Sequence, residues 1–289
     1  MPCDRRALVR LFLLSALAGA CQSRAPAPAA DAGTPRIVSL APAITETLFA
    51  VGAGKLVVGI SDYCNYPPEA LALPRLGTSI TPNYEAIARL APTLIVSERG
   101  GSARQKELEA LAPTLLLPWL TLDEVAAGIA TLGERVGHKA EGAALAQELH
   151  RRLAVPEPAT GPRVLLVLGY EPGKLDEIWF VRKNSLHGAA LNAAGARNAV
   201  PTAYQGEPRI GQERVLELDP DAILVLLRPG EEARGPAYLT DWQALSGLTA
   251  VKKQRVRPIA VAEAFANGPR ILKLVDRLHA ELKSLGVLP

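Results

Sequence analysis

The chain has 289 residues, 48% hydrophobic and 21% charged, with a formal net charge of +3. A chain of this size and balance can bury an ample core, which excludes a disordered polymer, and its charge is far too small for a nucleic-acid-binding body. Cys3 and Cys21 lie at the extreme N-terminus and Cys64 is the only other cysteine, so a disulfide framework is excluded as well.

Arg5, Arg6 and Arg10 open the chain, and residues 11–20 form an apolar stretch. That stretch is half of the roughly 20 residues a membrane-spanning helix needs, and it fits a secretory signal peptide over residues 1–20. It closes on Leu17-Ala18-Gly19-Ala20-Cys21, small residues before a cysteine, as in bacterial lipoprotein signals. Cys21 is therefore the expected lipidated N-terminus. Ala18 holds the place where a large aliphatic residue is usual, and plain Ala-x-Ala cleavage is the alternative. Residues 21–34 are rich in Ala and Pro and lack apolar periodicity, as expected of a linker tethering a folded body to a membrane. The expected location is exported, periplasmic or cell-surface, and membrane-anchored. Loss of Arg5, Arg6 and Arg10 with Asp4 takes the net charge to +1, which argues against a nucleic-acid partner.

From Arg36 onward, short β-branched runs alternate with helical patterns, the grammar of parallel α/β structure. Strands are expected at 37–40, 57–60, 94–96 and 115–117, with helices at 45–51 and 102–111. The second half expects strands at 164–168, 222–226 and 256–261, and helices at 186–194 and 270–285. Between the halves, Leu122, Val125, Ile129, Leu132 and Val136 keep helical spacing, which resumes through Leu145, Leu149 and Leu153. As one helix, residues 121–154 would extend about 50 Å; Gly137 opens the alternative of two. The domains expected are an N-terminal α/β lobe at 35–120, an interlobe backbone helix at 121–155, and a C-terminal α/β lobe at 162–289.

An internal repeat ties the halves together. Glu85-Ala86-Ile87-Ala88-Arg89-Leu90-Ala91-Pro92 leads into Leu94-Ile95-Val96, and Glu213-Arg214-Val215-Leu216-Glu217-Leu218-Asp219-Pro220 leads into Ala222-Ile223-Leu224. Each copy reads as a short helix stopped by proline and running into a buried strand. The register puts one glutamate at an equivalent helix start on each lobe. Either one alone could merely complement the helix dipole; as a matched pair they suit a partner with its own two-fold symmetry.

Arg36-Ile37-Val38-Ser39-Leu40-Ala41-Pro42-Ala43-Ile44-Thr45-Glu46, followed by Val58-Gly59-Ile60-Ser61-Asp62-Tyr63-Cys64-Asn65-Tyr66-Pro67-Pro68, resembles the periplasmic binding proteins of vitamin B12 ABC transporters. The resemblance runs from about Arg36 to Leu285 and includes Arg99-Gly100-Gly101 and Gly268-Pro269-Arg270-Ile271. It implies two Rossmann-like lobes joined by a long backbone α-helix, the class III periplasmic binding protein fold. The wider group also binds haem and ferric siderophores. The implied role is capture of a corrinoid between the lobes by a monomer, and its delivery to an inner-membrane ABC permease dimer with its ATPase. Glu85 and Glu213 match the glutamates that dock on that permease. Tyr63 matches a ligand-contacting tyrosine, and residues 262–266, with Ala262, Phe265 and Ala266, match a second ligand stretch. Two cleft tryptophans of the family are replaced at about Ser79 and Glu207, the second stretch is mostly alanine, and a second-lobe disulfide is absent. The ligand site is thus rebuilt. Haem or a ferric siderophore is the alternative ligand, and a tethered sensor or scaffold with a degenerate cleft the weaker alternative.

The residues themselves support a large flat ligand. Tyr63 and Tyr66 flank Cys64 and Asn65 in a loop closed by two prolines, and phenol rings suit the face and amide rim of a macrocycle. A tyrosine could equally ligate haem iron, or simply pack the loop; Cys64 reads as a small buried thiol. Pro42 and Ala43 after the first strand, and Arg99 and Gly100 after the third, sit where open sheets bind ligands. Trp119, Trp179 and Trp242 could be core or cleft, with Trp179 the better cleft candidate. His138, His150, His187 and His279 have no metal-ligand spacing, so no metal site is expected, and His187 reads as a helix-terminal surface residue, with haem ligation the alternative. No nucleophile elbow, phosphate loop or dinucleotide fingerprint is present, so a binding protein without catalytic cofactor is expected rather than an enzyme.

Overall fold

A computed structural model of the chain describes residues 33–99, 105–204, 206 and 208–289. The expected signal peptide, Cys21, nearly all of the linker, Gly100 and Glu207 lie outside the described residues.

Residues 35–289 form one compact unit containing two sheets. The first is built from β1 (Ile37–Ser39), α1 (Pro42–Ala50), β2 (Val57–Ile60), α2 (Tyr84–Arg89), β3 (Leu94–Glu98), α3 (Gln105–Glu109) and β4 (Thr114–Leu117). Its four strands are all parallel, in the order β2-β1-β3-β4. The connections diverge between β1 and β3, so the carboxyl ends of these two strands border a crevice. Pro42, at the first turn of α1, needs no backbone N–H there.

The next two elements are α4 (Leu122–Arg135) and α5 (Lys139–Leu153). The stretch is therefore two helices and not one rod, as Gly137 allowed. Gly137 takes φ +82°, a conformation that favours glycine, and the chain turns back on itself. A Cβ on Gly133 would meet the Gly142 Cα at 2.8 Å, so glycine on both helices lets their backbones touch. His150 near the end of α5 lies beside Asp123 at the start of α4, at 3.7 Å, which marks an antiparallel pair. Thr121 and Glu124 close a capping box at the start of α4.

The second lobe holds β5 (Arg163–Gly169), β6 (Ile178–Phe180), α6 (Leu186–Ala193), β7 (Arg197–Asn198), β8 (Arg209–Ile210), α7 (Gln212–Leu218), β9 (Ala222–Leu227), α8 (Gly235–Gln243), α9 (Thr249–Lys252), β10 (Val256–Ala260) and α10 (Ile271–Ser284). Its order is β10-β9-β5-β6-β8, with β7 also on β5. β10, β9, β5 and β7 run parallel, whereas β6 and β8 add as antiparallel strands. Every residue of central β9 is buried, as its unbroken Ala-Ile-Leu-Val-Leu-Leu run requires. β10 is an edge strand, which is why it tolerates Pro258.

The α4–α5 pair packs on α1 from the first lobe and on α6 and α10 from the second. One apolar cluster runs through all of them, from Ile44 and Leu48 through Ile129 and Leu149 to Leu186 and Leu274.

The repeat is visible in three dimensions. After α2 and after α7 the residue directly before the proline has positive φ, Ala91 at +43° and Asp219 at +40°, and each helix leads into a central strand. In the second copy Asp219 is held by Thr249, whose N–H and hydroxyl each donate to its carboxylate at 2.7 Å. Those bonds lower its pKa.

Candidate functional site

The seam between the lobes is a short polar ladder set in this core. Glu46 on α1 and Arg270 at the start of α10 form a bidentate pair, with Nε to Oε2 at 2.8 Å and Nη2 to Oε1 at 2.5 Å. The two side chains are only 2% and 12% exposed. The Tyr66 ring lies 4.1 Å from the same guanidinium. Beside the pair, Trp119 Nε1 donates to the Asn267 carbonyl at 2.7 Å, and the Leu186 N–H donates to the Leu120 carbonyl at 2.8 Å. Gly268 passes so close to α1 that a Cβ there would stand 3.3 Å from Glu46 Oε2 and 3.4 Å from Ala43 Cα.

The segment bearing Asn267, Gly268 and Arg270 begins with the 3-10 turn Ala262–Phe265. That turn forms one wall of a cavity of about 600 Å³ at the carboxyl ends of β5, β9 and β10. From β5 and the residue after it come Leu168, Gly169 and Tyr170, from β9 and the residue after it Leu227 and Arg228, and from β6 Trp179. Leu120, at the interlobe seam, completes it. The place is the switch point of the second sheet, between β5 and β9, where open α/β sheets take ligands, and the volume lies in the usual range for small-molecule pockets.

The wall is aromatic and firmly held. Tyr170 stands edge-on to Tyr238 and Trp242, with centroids at 4.8 and 5.9 Å. Each of the two tyrosine hydroxyls donates to the other's backbone carbonyl, at 3.4 and 3.3 Å. Burial raises the pKa of both phenols, so they stay protonated. His187 also lines the cavity and is buried, with Nε2 2.9 Å from the Ala264 carbonyl. The expected surface histidine is therefore corrected: α6 turns its first-turn imidazole inward under the 262–265 turn. Burial lowers its pKa and keeps the ring neutral, so Nε2–H donates to the carbonyl.

The other expected site residues are distributed as follows. Phe265 lines the cavity, Ala262 is half-buried beside it, and Ala266 is buried at 6% exposure. Tyr63 is 71% exposed on the loop after β2, whereas Tyr66 turns the other way, towards Arg270 and a second cavity of about 650 Å³ bordered also by Glu46 and Phe49. The two tyrosines are thus not brought together. Pro42 is half-buried and Ala43 is buried against Gly268, so the close packing of the seam leaves Ala43 no face for a ligand. Arg99 is exposed at the end of β3 and its N–H donates to the Leu117 carbonyl at 2.7 Å. Cys64 is buried, bonded to the Thr45 hydroxyl at 3.1 Å, and burial raises its pKa. Trp119 and Trp242 are core residues and Trp179 is a cavity residue. Among the described residues no cluster of three His, Cys, Asp or Glu could hold a metal ion, and no helix is long and apolar enough to cross a membrane.

Glu85 and Glu213 are exposed in the first turns of α2 and α7. Glu85 accepts from Arg89 at 2.6 Å. Glu98, which no motif in the sequence marks, ends β3 near the crevice, and burial pushes its pKa up to about 7.

With this geometry in place, the kinship of the chain is clear. The model of the periplasmic binding protein family matches residues 37–260, and the chain belongs to that family. It is 30% identical over 262 residues to the vitamin B12-binding protein of Pectobacterium carotovorum, covering 86% of this chain and 89% of that one. The structure of the periplasmic vitamin B12 binding protein of Vibrio cholerae superposes with a TM-score of 0.70 at 27% identity, over 88% of this chain and 98% of the other. A periplasmic haem binding protein of Vibrio cholerae shares the fold at 20% identity and a TM-score of 0.74, over 86% and 99% of the two chains.

Two outcomes follow from the seam and from Glu98. Replacing Arg270 by Met leaves the Glu46 carboxylate buried without its partner and should cost about 3–5 kcal/mol in urea unfolding. The double variant Glu46→Leu, Arg270→Met should recover most of that loss; strictly additive losses would show that the pair does not couple the lobes. For Glu98 the folded-state pKa of about 7 lies above the ordinary 4.5, so the folded protein holds the proton more tightly. Its contribution is complete below pH 4.5 and is lost as pH rises to 7. Unfolding titrations of Glu98→Gln should lack that decline.

Proposed function

We propose that this protein is the substrate-binding lipoprotein of an ABC transporter. It captures a corrinoid, vitamin B12, in the interlobe cleft and hands it to an inner-membrane permease dimer powered by its ATPase. The observation that carries the reading is similarity along nearly the whole body to proteins named for vitamin B12 binding, joined to an aromatic cavity at the second-lobe switch point. The protein is a carrier and not an enzyme. It is exported through residues 1–20, tethered through Cys21 and works as a monomer at the outer face of the membrane.

In this reading the cavity wall, with Phe265 and Trp179, takes the flat ring, and Tyr63 and Arg99 approach from the first lobe. Glu85 and Glu213 dock on the permease. What supports their role is the repeat: each glutamate sits in the first turn of an equivalent helix, exposed, on a matching lobe.

A second reading keeps the fold and changes the ligand to haem or a ferric siderophore. It is favoured by Tyr63, whose exposed phenol could ligate iron, and by the neutral His187 in the cavity wall.

Titration of the purified protein with cobalamin, haemin and a ferric siderophore separates these readings. Cobalamin should bind with a calorimetric heat and a visible spectral shift, and silence with cobalamin alongside saturation by haemin would replace the first reading with the second. Reversal of charge in Glu85→Lys and Glu213→Lys should abolish uptake by the reconstituted transporter while the ligand Kd stays unchanged. Loss of ligand binding in those variants would overturn the docking role.

A further inference from the structure

The cavity wall also indicates which feature of a flat ligand it recognises. Three of the four guanidinium–aromatic stacks among the described residues surround it: Arg209 over Trp179 at 4.3 Å, Arg228 over Phe265 at 4.5 Å, and Arg234 over Tyr238 at 5.4 Å. Stacking orients a guanidinium and leaves its N–H edge free to bond outward.

The three arginines are not equivalent. Arg209 is paired with Glu177 at 2.9 Å, and Arg234 with Glu231 at 3.2 Å. The other oxygen of Glu231 accepts the backbone N–H of Arg228 at 3.1 Å, so that carboxylate is spent at both ends. Glu171, the remaining carboxylate of the wall, accepts from Lys174 at 2.9 Å. Among the described residues the Arg228 guanidinium has no carboxylate partner. It also has the most telling position, directly after β9 at the switch point, with the Phe265 ring beneath it. The wall therefore offers an apolar face and, at its edge, an uncompensated cation with a fork of donors. That fork matches carboxylate and phosphate oxygens through charge-assisted bonds about twice as strong as neutral ones. A neutral amide rim would leave most of this capacity unused.

We propose that Arg228 is the specificity-determining residue of the cavity, and that it selects a flat macrocycle bearing an ionised peripheral group, a carboxylate or a phosphodiester, over the same ring without that charge. This rests on the macrocycle reading above.

The test compares the purified chain and its Arg228→Gln and Arg228→Lys variants against four probes. Cobalamin carries a phosphodiester and cobinamide lacks it; haemin carries two carboxylates and its dimethyl ester masks them. For whichever macrocycle the unsubstituted protein binds, Arg228→Gln should weaken the charged form about ten- to hundred-fold. The affinity of the form without the anion should be unchanged, and Arg228→Lys should recover part of the loss. The responding pair of probes then identifies the anion. Equal weakening of the forms with and without the anion, or no weakening of either, would overturn the role of Arg228 while the functional reading stands. Failure of all four probes to bind the unsubstituted protein would overturn both.

Discussion

The buried pair between Glu46 and Arg270 is the constraint on which the rest of the structure turns. Two charges leave water there with side chains almost fully enclosed, which is worthwhile only with good geometry and further stabilising contacts. The pair is bidentate, the guanidinium also lies over the Tyr66 ring, and the neighbouring Trp119–Asn267 bond repeats the crossing from first lobe to second. Between Asn267 and Arg270 the chain is pinned at both ends, and Gly268 lets it lie flat on α1. The 262–265 turn leads directly into that pinned strap. The position of Phe265 in the cavity is thus set by a carboxylate in the other lobe, 219 residues earlier in the chain.

The same seam limits how the two lobes can move. The α4–α5 pair contributes to one apolar cluster with helices of both lobes, and close-packed interiors deform poorly. Opening the crevice widely would expose that shared core and unpair Glu46. The helical hairpin achieves what a single rod was expected to do, by a different route. The rod would separate the lobes at its two ends; the hairpin stands between them and packs on both.

What could be read in the sequence, and what could not, divides along physical lines. β2, the core of β9, α6 and α10 were legible because their apolar periodicity is strong. The repeat was legible because proline and the preceding helix spacing leave a fixed signature; that both copies pass through positive φ at Ala91 and Asp219 was not, since neither is glycine. β6, β7 and β8 have two or three residues each and depend on pairing rather than pattern. The seam was invisible for a plainer reason. Glu46 and Arg270 are 224 positions apart, and nothing local distinguishes a glutamate that will be buried from one in an exposed first turn. His187 was misplaced for the same reason, since the Ala264 carbonyl that satisfies it comes from the far side of the lobe. Tyr63 and Tyr66 were grouped by proximity in sequence, yet the loop turns their rings to different environments.

The resulting molecule is alike outside and unlike inside, and each property has its own cause. The repeat places α2 and α7 in equivalent positions leading to equivalent strands, so the outer helix starts present a pseudo-symmetric pair of carboxylates. The duplication requires that likeness of the two outer helices. The cavity has no such requirement. It is lined almost entirely by the second lobe, where β6 and β8 extend the sheet beyond the repeat and bring Trp179, stacked on Arg209, to the wall. The wall is unsymmetric because it is made by elements that the first lobe lacks. The duplicated frame and the added strands thus differ in effect: the frame sets the two exposed helix starts, and the additions shape the cavity wall.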